Sequence, residues 1–167
     1  MRSMRLSAVA LMLCWLGNAF AAVQPVELKV KDEVVLAKAM EDGAGLTLPE
    51  FLVFTKSGAA VLHERAFNDS FVDRLELAVR SAEPLETEVT LAAVLEDIVA
   101  MDDSPLAPDI GSDYHFVFVE YWAEWCAPCH MQKKAVTEYF ERHPDANVLW
   151  LYVRRDPTLL PNVTVTK

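Results

Sequence analysis

Two periodicities of apolar residues divide the chain into predicted strands and helices. Short runs rich in apolar, β-branched and aromatic residues predict strands at 26–30, 51–55, 59–64, 114–122 and 147–153. Apolar residues spaced three and four positions apart predict helices at 32–41, 70–82, 91–101 and 126–142. Strands and helices mixed along one chain indicate the α/β class, with a sheet flanked by helices.

Turn and cap residues mark several boundaries between these elements. Gly43 and Gly45 are expected to end the first helix, and the turn at 56–58 makes a hairpin of the strands around it. Ser70 and Asp73 have the spacing of a capping box at the start of the second helix. In the last predicted helix, Met131 has the spacing of a packed residue.

The N-terminus has the features of a cleaved signal peptide over residues 1–22. Arg2 and Arg5 precede a short apolar run from Leu6 to Leu16, and an A-x-A site follows at 19–21. The run is short for an anchor, so cleavage is expected rather than retention in the membrane. The protein is then expected to be periplasmic or secreted.

The composition of the full sequence limits the classes of partner that the protein is expected to bind. The formal charge of −10 disfavours nucleic acid and anionic membrane surfaces as partners. A hydrophobic content of 53% excludes a disordered chain. No later apolar run reaches the ~20 residues of a spanning helix, so no membrane insertion is expected after cleavage. Cys14 leaves with the signal peptide, and only Cys126 and Cys129 remain, which excludes a disulfide-dense scaffold.

The segment from Trp122 to His130 carries the candidate chemistry. It reads W-A-E-W-C-A-P-C-H, with two cysteines two residues apart at the start of a predicted helix. Unpaired N–H groups at a helix N-terminus favour a thiolate, which lowers the expected pKa of Cys126. Cys126 would attack a substrate disulfide, and Cys129 would resolve the mixed disulfide. Pro128 suits the first helical turn, where its missing N–H costs nothing.

Three interpretations of this segment compete. The first is a purely structural disulfide, and it is disfavoured because closing so small a loop removes little chain entropy and so stabilises the fold little. Cys-x-x-Cys-His also matches a c-type haem attachment site. That site, however, calls neither for a buried strand before the motif nor for tryptophans at 122 and 125. A redox dithiol is favoured. Glu124 and His130 are expected on the surface.

The stretch from Phe116 to His130, FVFVEYWAEWCAPCH, resembles the central strand and active-site turn of the thioredoxin family. The resemblance implies a thioredoxin-like sheet, with Cys126 as nucleophile and Cys129 as resolving thiol, joined when oxidised as a Cys126–Cys129 disulfide. It implies that Trp125 and Pro128 flank the site and contact substrate. Glu120 stands where the family often has a buried acid, whose pKa burial would raise and which would serve Cys129 as general base and acid.

The order of the elements departs from the family. The family has a cis-proline late in the chain, but too little sequence follows Cys129 for that half of the fold. The segment 45–58 instead resembles the cis-proline strand and hairpin, with Pro49 as the cis-proline and Leu48 in the substrate groove. We therefore expect one permuted thioredoxin-like domain over 23–167, in which 23–86 resembles the cis-proline half and 87–167 the cysteine half. A separate N-terminal domain and a fold completed by a dimer are the alternatives.

The strand near 148–153 lacks the lysine that the family often places near its buried acid, and Arg154 and Arg155 beyond it are expected on the surface. The favoured function is an exported thiol–disulfide oxidoreductase of the cell envelope, acting as a reductant. Its expected partners are protein thiols and disulfides and an unknown redox donor, with no metal or organic cofactor. The alternatives are a c-type haem electron carrier and a non-catalytic thioredoxin-like binding module.

Overall fold

The computed structural model describes residues 23–42 and 47–155. The predicted signal peptide and the glycines at 43 and 45 lie outside these residues. The elements are β1 (Val26–Val30), α1 (Asp32–Asp42), β2 (Glu50–Thr55), β3 (Ala60–Arg65), α2 (Phe71–Ser81), α3 (Leu91–Glu96), β4 (Ile98–Ala100), β5 (Phe116–Trp122), α4 (Ala127–Arg142) and β6 (Val148–Arg154). Most predicted strands and helices are thereby confirmed, with boundaries shifted by one or two residues.

The strands form one mixed six-stranded sheet in the order β3-β2-β5-β6-β1-β4. β5, β6 and β1 run parallel, whereas β2 lies antiparallel to β5 and to β3. The short β4 lies antiparallel to β1 at the other edge. Because β1 and β2 flank the β5–β6 pair, the chain segments before and after residue 86 are hydrogen-bonded within the same sheet.

Helices cover both faces of the sheet, which establishes the α/β class. α2 and α4 bury Phe71, Leu75, Val136 and Phe140 against one face, around Phe118. α1 and α3 contribute apolar side chains to a second core on the other face. The even-numbered residues of β5 face the first core and the odd-numbered residues face the second, as strand alternation requires. No helix among the described residues is long and apolar enough to span a membrane.

Two local predictions are wrong. The helix expected at 91–101 ends at Glu96, and Ile98–Ala100 pair with β1 as a strand. Burial of Ile98 and Val99 at the sheet edge outweighs the helical spacing that these residues share with Leu91. The side chain of Ser70 makes no capping bond to the α2 backbone; its hydroxyl instead accepts a hydrogen bond from Arg74 Nη1 and donates to Asn68 Oδ1 at 2.9 Å.

Candidate functional site: a cysteine pair at the start of α4

The cysteine pair lies where β5 turns into α4. Cys126 is the N-cap residue of α4, and Pro128 lies in the first turn. Cys126 and Cys129 form a disulfide, with their Cα atoms 5.3 Å apart. The backbone N–H of Cys129 donates to Cys126 Sγ at 3.2 Å. The same N–H can therefore stabilise negative charge on Cys126 Sγ once the disulfide is reduced.

Both cysteines are almost completely buried. Cys126 is 2% exposed and Cys129 is 0% exposed, and they form a small cluster with Ala123. Trp125 and Met131, in contrast, are 54% and 59% exposed. The packed position expected for Met131 is therefore wrong, because its side chain lies on the solvent side of α4. Trp125 and Pro128 are exposed next to the pair, where an incoming chain can touch them.

Leu48 and Pro49 come to the cysteine pair from the other part of the chain. β2 begins directly after Pro49, and its first residue, Glu50, pairs with Tyr121 near the end of β5. This pairing brings Leu48 into contact with the cluster of Ala123 and the two cysteines. The Leu48–Pro49 peptide bond is cis, and Pro49 is buried. Residues nearly 80 positions apart in sequence thus share one site.

Glu120 is a fully buried acid on the face of the sheet that α4 covers. Its side chain is 0% exposed, and Oε2 accepts a 3.1 Å hydrogen bond from Trp150 Nε1. Burial raises the pKa of Glu120 to about 8, although the Trp150 bond and the charge of Lys133 lower it. Oε1 has no hydrogen-bond partner among the described residues. With this pKa, the protonated form of Glu120 is favoured at neutral pH.

An aromatic group connects Glu120 to the surface of α4. Tyr152 of β6 lies directly opposite Glu120, and the Trp122 ring stacks on it with centroids 4.6 Å apart. Lys133 Nζ sits 4.0 Å from the centroid of the Tyr152 ring. β6 itself contains no lysine, so the cation that acts on Glu120 comes from α4.

Glu124 and His130 are exposed, as the sequence predicts. The ring Nε2 of His130 lies 3.2 Å from the carbonyl oxygen of Glu124. The Glu124 carboxylate lies 3.9 Å from Arg154 Nη2, in a contact open to solvent. Neither side chain belongs to the buried cluster of the cysteines.

The surface position expected for Arg155 is wrong. Arg155 is 8% exposed, and its Nη1 donates to Glu50 Oε2 at 3.0 Å. Its guanidinium also lies 4.2 Å from the centroid of the Tyr121 ring. No sequence signal relates Arg155 to Glu50, because the two residues are 105 positions apart and meet only through the sheet.

The described residues contain no group of three or more His, Cys, Asp and Glu side chains placed to hold a metal ion. Comparison with protein-family models, with curated proteins and with solved structures gives no significant match for this chain.

Proposed function

We propose that the protein is an exported thiol–disulfide oxidoreductase with a thioredoxin-like site, acting on cysteines of other proteins in the cell envelope. The observation that carries the proposal is a cysteine pair at the N-terminus of α4, on the sheet face that holds the buried acid Glu120. Helix-terminal N–H groups favour the attacking thiolate, and an acid with a raised pKa can serve the resolving thiol as a general base.

The reaction begins with the reduced pair. Cys126 thiolate attacks one sulfur of a substrate disulfide, a new S–S bond forms, and the other substrate sulfur leaves as a thiolate. Glu120, in its carboxylate form, accepts the proton of Cys129, and the Cys129 thiolate attacks Cys126 Sγ. The substrate leaves with two thiols, having gained two electrons, and the protein keeps the Cys126–Cys129 disulfide. A donor dithiol then reduces the pair again.

The arrangement of the chain supports a permuted thioredoxin-like fold. The cis-proline resemblance lies in 45–58 and the cysteine motif in 116–130, and pairing of β2 with β5 joins them at one site. Packing requires that elements meet in space, whatever their order along the chain. Under this proposal Leu48, Trp125 and Pro128 form the surface that receives the substrate, and the buried Pro49 joins Leu48 to β2.

The reducing direction rests on the Trp-Cys-x-Pro-Cys pattern, which resembles the reducing members of the family. We expect the pair to have a reduction potential near the ~−270 mV of a reducing thioredoxin pair, far from the ~−120 mV of a strong oxidant. Equilibration of the pair with glutathione mixtures measures this potential. A value near that of the oxidants would reverse the proposed direction without changing the chemistry.

The haem alternative has less support. Covalent haem attachment consumes both thiols in bonds to a large planar group, whereas both cysteines are nearly fully buried against Ala123 and Leu48. The purified protein is expected to show no Soret absorption. A Soret band would establish the haem carrier instead.

An insulin-reduction assay with dithiothreitol as donor tests the proposed function. The mature protein is expected to accelerate precipitation of the insulin B chain, and Cys126→Ser is expected to lose at least about 100-fold of this activity because the nucleophile is gone. Glu124→Gln, an exposed carboxylate change near the pair, serves as the control and is expected to keep full activity. No acceleration by wild type would favour a non-catalytic binding module with a structural disulfide, and activity retained in Cys126→Ser would show that Cys126 is not the nucleophile.

A further inference from the structure

Glu50 is the centre of a buried polar network next to Pro49. Its side chain is 12% exposed, and both carboxylate oxygens have partners. Oε1 lies 2.8 Å from His63 Nε2 and 3.5 Å from Arg65 Nε, both on β3. Oε2 accepts the 3.0 Å bond from Arg155 Nη1. Burial raises the pKa of Glu50, but the His63 hydrogen bond and the Arg155 charge outweigh it and keep the pKa below its usual value.

Arg155 connects this network to β5 through two contacts. Its backbone N–H donates to the carbonyl oxygen of Trp122 at 2.7 Å, at the last residue of β5. Its guanidinium covers the ring of Tyr121, the residue that pairs with Glu50 across β2 and β5. One arginine therefore connects the start of β2 with the end of β5, on the face of the sheet opposite Glu120.

This connection fixes the start of β2, and Leu48, two residues before β2, contacts the cysteine cluster. Pro49 immediately precedes Glu50, and its carbonyl oxygen accepts a 2.9 Å bond from the N–H of Ala66. Leu48 packs on the cluster of Cys126 and Cys129. The position of Leu48 and Pro49 thus depends on where Glu50 is fixed relative to Trp122.

We propose that Glu50 and Arg155 are positioning residues, a clamp that fixes Leu48 and Pro49 against the Cys126–Cys129 turn so that a protein disulfide can be received there. The inference rests on the proposed function, because it assigns the clamp to substrate binding at that site. Neither residue touches the reacting sulfur atoms: the clamp acts on the receiving surface and leaves the chemistry of the pair unchanged.

The test changes both residues together, because Glu50→Gln alone would leave the Arg155 charge buried without its carboxylate, and Arg155→Met alone would leave Glu50 Oε2 without its donor. Glu50→Gln/Arg155→Met is compared with Glu64→Gln/Arg74→Met. The control removes a second partly buried ion pair, in which Arg74 Nη2 donates to Glu64 Oε2 at 2.8 Å. Neither Glu64 nor Arg74 belongs to the cysteine cluster.

Kinetics with two substrates separate positioning from general damage. For insulin, the clamp variant is expected to raise KM at least fivefold with kcat within twofold of wild type. With a small aromatic disulfide, which needs no receiving surface, its rate is expected to stay within twofold. The reduction potential of the pair is expected not to change, and the control variant to match wild type throughout. An unchanged KM for insulin, or an equal loss on both substrates, would overturn the clamp.

Hydrogen exchange gives a reading that needs no activity. The amide of Ala66 reports on the carbonyl of Pro49, and we expect its exchange to become at least tenfold faster in the clamp variant but not in the control. If wild type fails to reduce insulin, the proposed function fails, and this measurement alone then decides whether Glu50 and Arg155 hold Pro49. Equal Ala66 exchange in wild type and the clamp variant would show that they do not.

Discussion

Glu120 shows how the surroundings of one residue determine its chemistry. A carboxylate in a strand of apolar residues is noticeable in the sequence, but its role depends on what covers it. In the structure it is fully buried and accepts a hydrogen bond from Trp150, and its other oxygen has no partner among the described residues. A carboxyl group with a pKa of about 8 releases and takes up a proton near neutral pH, as a general acid and base must.

Glu120→Gln is expected to slow disulfide exchange at least about tenfold above pH 8, because the amide cannot accept the Cys129 proton. In wild type the rate of the resolving step is expected to rise with pH through the pKa of about 8. In Glu120→Gln this rise of the rate with pH is expected to be absent. Stopped-flow exchange between pH 6 and 9.5 measures both. A rate–pH profile of Glu120→Gln that matches wild type would exclude the role.

Glu120→Gln is also expected to change how the free energy of unfolding depends on pH, in a direction that follows from the pKa of Glu120. The pKa of Glu120 is raised in the folded state from 4.5 to about 8, so folding favours the protonated form. Its contribution to stability is complete below about pH 4.5 and is lost as the pH rises to about 8. Relative to Glu120→Gln, wild type is expected to lose up to ~1.4 kcal/mol of unfolding free energy per pH unit in this window. Urea unfolding at pH 5, 6.5 and 8 measures the difference, and a constant difference would contradict it.

Lys133, on α4, acts on the pKa of the buried acid Glu120. Its charge lowers the pKa of Glu120, so Lys133→Met is expected to move the pH midpoint of the resolving step above that of wild type. Lys133→Arg is expected to keep the midpoint near wild type. Lys134→Met, which removes the neighbouring exposed cation paired with Glu138, is the matched control. Equal midpoints in Lys133→Met and Lys134→Met would show that Lys133 does not act on Glu120.

At the scale of single elements, strands and helices are predicted most accurately from the sequence where several local signals agree. β5 and α4 follow from an apolar run, a proline in the first helical turn and helical spacing, and the structure has both within two residues of the predicted boundaries. β4 was not predictable, because Ile98–Ala100 become a strand only through pairing with β1. The buried position of Arg155 also depends on distant partners, since Glu50 and Tyr121 come from other strands.

At the scale of the whole molecule, the sheet unites the two parts of the chain. The motif in 116–130 was readable from the sequence because its residues are consecutive. The contact of Leu48 with the cysteine cluster is harder to predict from the sequence, because it depends on β2 pairing with β5. Pairing of β1 with β6 and β4 adds a second connection between the parts.

A fragment experiment tests this interdependence. Residues 87–167 alone are expected not to fold cooperatively, because β5 loses β2 and both β6 and β4 lose β1. Circular dichroism during urea unfolding, with 23–167 as the control, measures this, and coexpression with 23–86 is expected to restore a folded protein. A cooperative transition in the 87–167 fragment alone would favour a separate N-terminal domain.

The central claim is that Cys126 is the nucleophile of a disulfide exchange that Cys129 completes. Trapping with Cys129→Ser tests it most directly, because this variant can form the mixed disulfide but cannot resolve it. We predict that reduced Cys129→Ser accumulates a covalent adduct with a disulfide-containing protein, which mass spectrometry places on Cys126, and that Cys126→Ser accumulates at least tenfold less. No adduct with Cys129→Ser, or equal adduct in the two variants, would contradict the account.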